Sequence, residues 1–92
     1  MTEPPSITLL YFAAARSAVN LDKEIITLPE TPFRLSALSN LLTTKHSNTE
    51  LGSVLQGCAW SVDVAMVPAE EVHTRLLRGG EEVAIIPPVS GG

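Results

Sequence analysis

Few side chains in this 92-residue chain could do chemistry. The single cysteine, Cys58, opens an apolar run, where a free thiol behaves as a small core hydrophobe, and it has no partner for an internal disulfide. His46 and His73 are far from it and from each other in sequence, so no structural zinc site is expected. At the end of a predicted helix, His46 reads as a cation set against the helix dipole, and His73 reads as an exposed strand or loop residue. Glu70-Glu71 and Glu81-Glu82 are adjacent pairs; strand neighbours point to opposite faces, so they read as solvated surface rather than a cooperating acid and base. Gly79-Gly80 has neither the strand-to-helix context of a dinucleotide fingerprint nor the Lys-Ser/Thr of a phosphate loop, and reads as a tight turn. Pro29-Glu30-Thr31-Pro32 matches a Pro-x-x-Pro ligand in letters only, since its first proline ends a strand and its second starts a helix.

What remains is the last stretch, Pro87-Pro88-Val89-Ser90-Gly91-Gly92. Two prolines lock φ where the segment begins, and the final residues lose their side chains, giving a thin probe able to enter a narrow channel. At about 3.3 Å per residue it reaches roughly 20 Å, more than the ~12 Å radius of gyration expected for the body. Its tip can enter another protein's active site while the body stays outside. The reactive group there is a carboxylate, ionised at neutral pH and inert toward nucleophiles. ATP-dependent adenylation is the evident route to activate it. The acyl-adenylate can then be attacked by an amine, giving a protein conjugate, or by a sulfur, giving a thiocarboxylate. Nothing in this chain is expected to catalyse either step.

Such a tail needs a rigid root. Residues 7–12 form an apolar, β-branched and aromatic run that suits a strand buried on both faces. Residues 13–19 are too short for an independent helix and read as a turn or single helical turn. A second strand is expected over residues 23–28, forming an antiparallel hairpin with the first. After Pro29 the period changes: with Thr31 as cap and Pro32 in the first helical position, Leu35, Leu38, Leu41 and Leu42 predict an amphipathic helix over residues 33–46. A shorter helical piece follows, capped by Thr49, carrying Leu51, Val54 and Leu55 on one side and stopped by Gly57. Residues 58–67 read as a strand, 70–77 as an ambiguous stretch or short edge strand, and 81–86 as the last strand. The first and last strands are the most apolar, so they should lie at the sheet centre, parallel to one another. One main helix on one face of a mixed sheet is a two-layer α+β domain, the β-grasp of ubiquitin, spanning residues 1–92 with a frayed lead at 1–5 and an extended tail at 87–92. Trp60 and Phe33 are expected in the core or at an edge, with a partner interface as the alternative.

At 9.8 kDa the chain has room for one small domain. Six basic residues against ten acidic ones leave a net charge of −4, which argues against nucleic acid or an anionic membrane as partner. No apolar run approaches the ~20 residues of a membrane span, and residues 1–5 have no signal-peptide pattern, so the cytosol is the expected location.

The stretch Leu77-Arg78-Gly79-Gly80-Glu81-Glu82-Val83-Ala84-Ile85-Ile86-Pro87-Pro88-Val89-Ser90-Gly91-Gly92, with Leu10-Tyr11-Phe12-Ala13 near the start, resembles the small, sulfur-carrying subunit of molybdopterin synthase. Glu81 stands where that family commonly has Asp, and residues 68–74 look longer than usual. The resemblance implies that an E1-like activating enzyme, an adenylyl- and sulfurtransferase, uses ATP to adenylate Gly92, whose carboxylate becomes a thiocarboxylate. It implies no permanently bound cofactor and no metal. The charged tail would enter the large catalytic subunit, in a heterotetramer of two small and two large subunits. There it would give sulfur to a cyclic pterin precursor, forming the dithiolene of molybdopterin. Carried over by position, Gly92 bears the sulfur, and Gly91, Ser90, Val89 and Pro88 form the inserting tail. Apolar positions exposed beside the tail on the last strands are expected to dock the partner. Related β-grasp carriers for thiamine or tRNA thiolation, protein modifiers, and a non-catalytic interaction domain with an idle tail are the alternatives.

Overall fold

A computed structural model describes residues 4–88. The elements run β1 (Ser6–Tyr11), α1 (Ala13–Val19), β2 (Lys23–Thr27), β3 (Phe33–Arg34), α2 (Leu35–Lys45), α3 (Leu51–Leu55), β4 (Ala59–Val62), β5 (Ala65–Val67), a 3₁₀ turn (Ala69–Glu71), β6 (Leu76–Leu77) and β7 (Glu82–Ile86). Five strands form one sheet in the order β2-β1-β7-β4-β5, and β3 pairs with β6 in a separate two-stranded ribbon. β1 and β7 are parallel neighbours, with Leu9 opposite Val83 and Tyr11 opposite Ile85; the other sheet pairs are antiparallel. First and last strands therefore lie together inside the sheet, and the architecture is the α+β β-grasp. The described end of the lead is held, since the Pro5 carbonyl accepts from Leu28 N–H at 2.8 Å.

One face of the sheet makes the core. Ile7, Leu9 and Tyr11 of β1, Val83 and Ile85 of β7, and Trp60 and Val62 of β4 meet Leu35, Leu38 and Leu42 of α2 and Leu51 and Leu55 of α3. Each such leucine contributes about 1.5–3 kcal/mol on burial, so α2 is held by its leucine stripe rather than by intrinsic propensity. Phe33 and Trp60 both belong to this core. β1, expected to be buried on both faces, is buried on this side alone, because Thr8 and Leu10 on the other face are half-exposed.

Other expectations need correction as well. Residues 13–19 form a helix of two turns, because Ala15 is fully buried, Ala18 and Val19 pack on the core, and Asn20 closes the end in the left-handed region. α2 begins at Leu35 rather than at residue 33: Phe33 and Arg34 extend to pair with Leu77 and Leu76, which carries the Phe33 ring into the core. Thr31 and Pro32, joined by a cis peptide bond, lie ahead of that strand and do not cap the helix. Residues 58–67 are a hairpin rather than one strand, since Asp63 and Val64 both take positive φ and turn the chain between Val62 and Ala65. The ambiguous stretch resolves into the 3₁₀ turn and the short β6. The cap of α3 is Glu50, without a side-chain cap bond, rather than Thr49, which sits one residue earlier and accepts from Leu51 N–H at 3.2 Å. No helix among the described residues is long and apolar enough to cross a membrane.

Candidate functional site

The chain leaves the sheet at the end of β7. This strand is paired on both sides, with Val83, Ala84 and Ile85 buried, so its far end is fixed from two directions. Ile86 is still in register with Ala59; Pro87 is buried and Pro88 is exposed. A Cβ placed on Gly57 would stand 3.8 Å from Pro88 Cγ, so Pro88 runs along the connection between α3 and β4. Pro88 is the member of the expected tail set that the structure shows. Val89, Ser90, Gly91 and Gly92 lie outside the described residues.

Two surfaces flank this root. On the helical side a cleft is lined by Ser39, Gln56, Cys58, Trp60, Val72 and His73. On the open side of the sheet a shallow groove is lined by Leu10, Phe12, Ala84, Ile86, Met66 and Val64, bordered by Glu82. Phe12, Met66 and Val64 there are 48%, 57% and 86% exposed. The expected apolar surface beside the tail therefore exists, but β7 supplies only Ala84 and Ile86. The rest comes from β1 and from the hairpin that the sequence disguised as a single strand.

The other sequence candidates fall into structural roles. The Cys58 thiol donates to the Val54 carbonyl at 2.9 Å, and burial raises its pKa, so it is a poor nucleophile at neutral pH. His73 is exposed. His46 does more than face a dipole: its Nε2 donates to Glu24 Oε1 at 2.9 Å, and the Tyr11 hydroxyl donates to the same oxygen at 2.8 Å. Burial alone would raise the Glu24 carboxyl, but the hydrogen bonds from His46 and Tyr11, with the nearby His46 and Lys45 charges, hold it below the usual carboxylate range. Burial, then the Glu24 partner, push the Tyr11 phenol far above its ordinary value. The cluster ties β1, β2 and the end of α2 together on the core side of the sheet. Glu70 and Glu71 lie in the exposed 3₁₀ turn, whereas Glu81 folds back to accept from Arg78 N–H at 2.8 Å and Gly79 N–H at 2.7 Å. Among the described residues, no group of three or more His, Cys, Asp or Glu could hold a metal ion.

Comparison with known proteins gives a consistent set of likenesses. The model of the ThiS family matches residues 9–92. A molybdopterin synthase sulfur carrier subunit of Mycosarcoma maydis is 47% identical over 88 residues, covering 96% of this chain and 95% of that protein. Among solved structures, a putative molybdopterin converting factor subunit 1 of Pyrococcus furiosus superposes with a TM-score of 0.73 at 24% identity, covering 92% of this chain and 99% of that one. A complex of subunits 1 and 2 of molybdopterin-converting factor from Helicobacter pylori gives 0.64 at 20% identity, covering 95% and 99%.

Proposed function

The chain belongs to the ThiS family, and from that premise we propose that it is the sulfur-carrier subunit of a molybdopterin synthase. The observation that carries the reading is a family match running through Gly92, on a chain whose central strand ends in the tail. The Gly92 carboxylate attacks the α-phosphorus of ATP on an E1-like activating enzyme, releasing pyrophosphate. Hydrosulfide from the sulfur donor then attacks the acyl carbon, forming the C–S bond as AMP leaves and a proton is released, which gives a thiocarboxylate. Gly91 adds no side chain beside it, and Ser90, Val89 and Pro88 span the distance to the body. The large catalytic subunit receives this tail and passes its sulfur to the pterin precursor, in a heterotetramer of two carriers and two large subunits. The part of the body in these steps is to fix the root of the tail and to be recognised.

Mass spectrometry tests this directly. Incubated with the activating enzyme, ATP and a sulfur donor, the chain should exchange one C-terminal oxygen for sulfur, and a variant lacking Gly92 should not. If that truncated variant restored molybdoenzyme activity in cells lacking the carrier, the sulfur-transfer role would be wrong.

A further inference from the structure

Val64 stands out as a residue whose cost to the isolated chain is left unexplained. Four non-glycine residues among those described take positive φ: Ala13 at 49°, Asn20 at 58°, Asp63 at 50° and Val64 at 74°. Asn and Asp tolerate this region because their short polar side chains bond locally. Asp63 is bonded instead to the neighbouring strand, its Oδ1 accepting from Glu82 N–H at 2.9 Å while its own N–H donates to the Glu82 carbonyl at 2.8 Å. Ala13 carries only a methyl group. Val64 is β-branched, the type for which this conformation is a true outlier, and it is 86% exposed, so no burial within the chain offsets the strain.

Both costs have one explanation if the side chain is buried in a complex. Val64 lies at one end of the open-face groove, beside Glu82 at the start of β7; Phe12 and Ile86 lie at the other end, next to the tail root. Four residue steps of β7 separate the two ends, about 13 Å. A protein that takes up residues 89–92 must approach the end of β7, and the groove is the apolar surface running back from that point. Its border is acidic, through Glu82, on a chain of net charge −4. A second copy of this chain would set like charge against like. The cleft on the other flank is more polar, through Ser39, Gln56 and His73.

We propose that Val64 is an anchor residue for the large subunit, held in the left-handed conformation by the Asp63–Glu82 bonds and received by an apolar pocket bordered by cations. This rests on the carrier reading above. Tail and hairpin tip then give two separated points of attachment, which fix the body's orientation while the tail is inserted.

The test is titration of the full-length chain with the purified large subunit, alongside thermal melts of the free chain. Val64→Gly should melt at the same or a higher temperature, because glycine adopts this conformation freely, yet bind about tenfold more weakly. Val64→Ala, which keeps the backbone restricted but removes the two methyl groups, should also bind several-fold more weakly. Leu76→Ala, exposed in the separate β3–β6 ribbon and outside the groove lining, should bind as the parent does. Parent-like affinity in both Val64 variants would overturn the anchor role while leaving the carrier reading intact. Failure of the parent chain itself to bind would remove the carrier reading and the anchor together. A parent that sediments as a dimer, and becomes monomeric on Val64→Gly, would overturn the proposal in favour of self-association.

Discussion

Glu24 shows how much a single residue can join. Its carboxylate takes hydrogen bonds from Tyr11 of β1 and His46 at the end of α2, with Lys45 Nζ 3.7 Å away. Because its folded pKa lies below the unfolded value near 4.5, its stabilisation is fully present above that value and is lost as pH falls through the folded pKa. The midpoint of thermal unfolding should therefore drop across the acid side of pH 4.5, and Glu24→Gln should flatten that limb. At neutral pH the same variant should cost about 1–2 kcal/mol, read as a midpoint lowered by on the order of 5–10 °C. None of this was legible from spacing. The partners are 13 and 22 residues from Glu24, and only the closed sheet brings them together. Local rules could assign His46 to a helix end, but not the carboxylate beside it.

At the scale of elements, the turn before β7 sets the entry of the central strand. The Glu81 carboxylate accepts from Arg78 and Gly79 N–H, and Gly80 N–H donates to the Ser6 carbonyl at 2.6 Å. Gly79 has φ +115°, and a Cβ there would meet Pro5 Cβ at 3.0 Å; Gly80 has φ +89° with open space around it. Gly79→Ala should therefore destabilise by about 2 kcal/mol, and Gly80→Ala by about 1 kcal/mol, from backbone strain alone. Urea midpoints of the two variants in parallel check that ordering; a larger loss for Gly80→Ala would contradict it. This turn was readable because its glycines announce it, as were the α2 leucines by their period. The 63–64 turn was hidden because Asp-Val carries no such signal and lies between two apolar runs. β3 was hidden because Phe33 satisfies helical spacing equally well and is claimed instead by its pairing with Leu77.

For the molecule as a whole, acidity should show in kinetics more than in stability. If the chain docks on a cation-bordered surface, its association rate with the large subunit should fall steeply between low and physiological salt, with a smaller change in dissociation rate; stopped-flow measurements at several ionic strengths would show it. A rate indifferent to salt would leave the apolar groove as the sole basis of recognition. Parallel central strands at opposite ends of the chain were legible from their apolarity alone, and that single reading led to the fold. The open-face groove was only half legible, because its exposed apolar residues sit in runs that look like core.

The place of β7 between β1 and β4 has a consequence for synthesis. A ribosome product that stops before Glu82 lacks the middle of its sheet, leaving β1 and β4 without the strand that joins them. The body cannot assemble until synthesis has passed β7. Translation products interrupted before β7 are thus exposed to proteolysis as unfolded chains, and a partner that recognises the folded surface meets few of them.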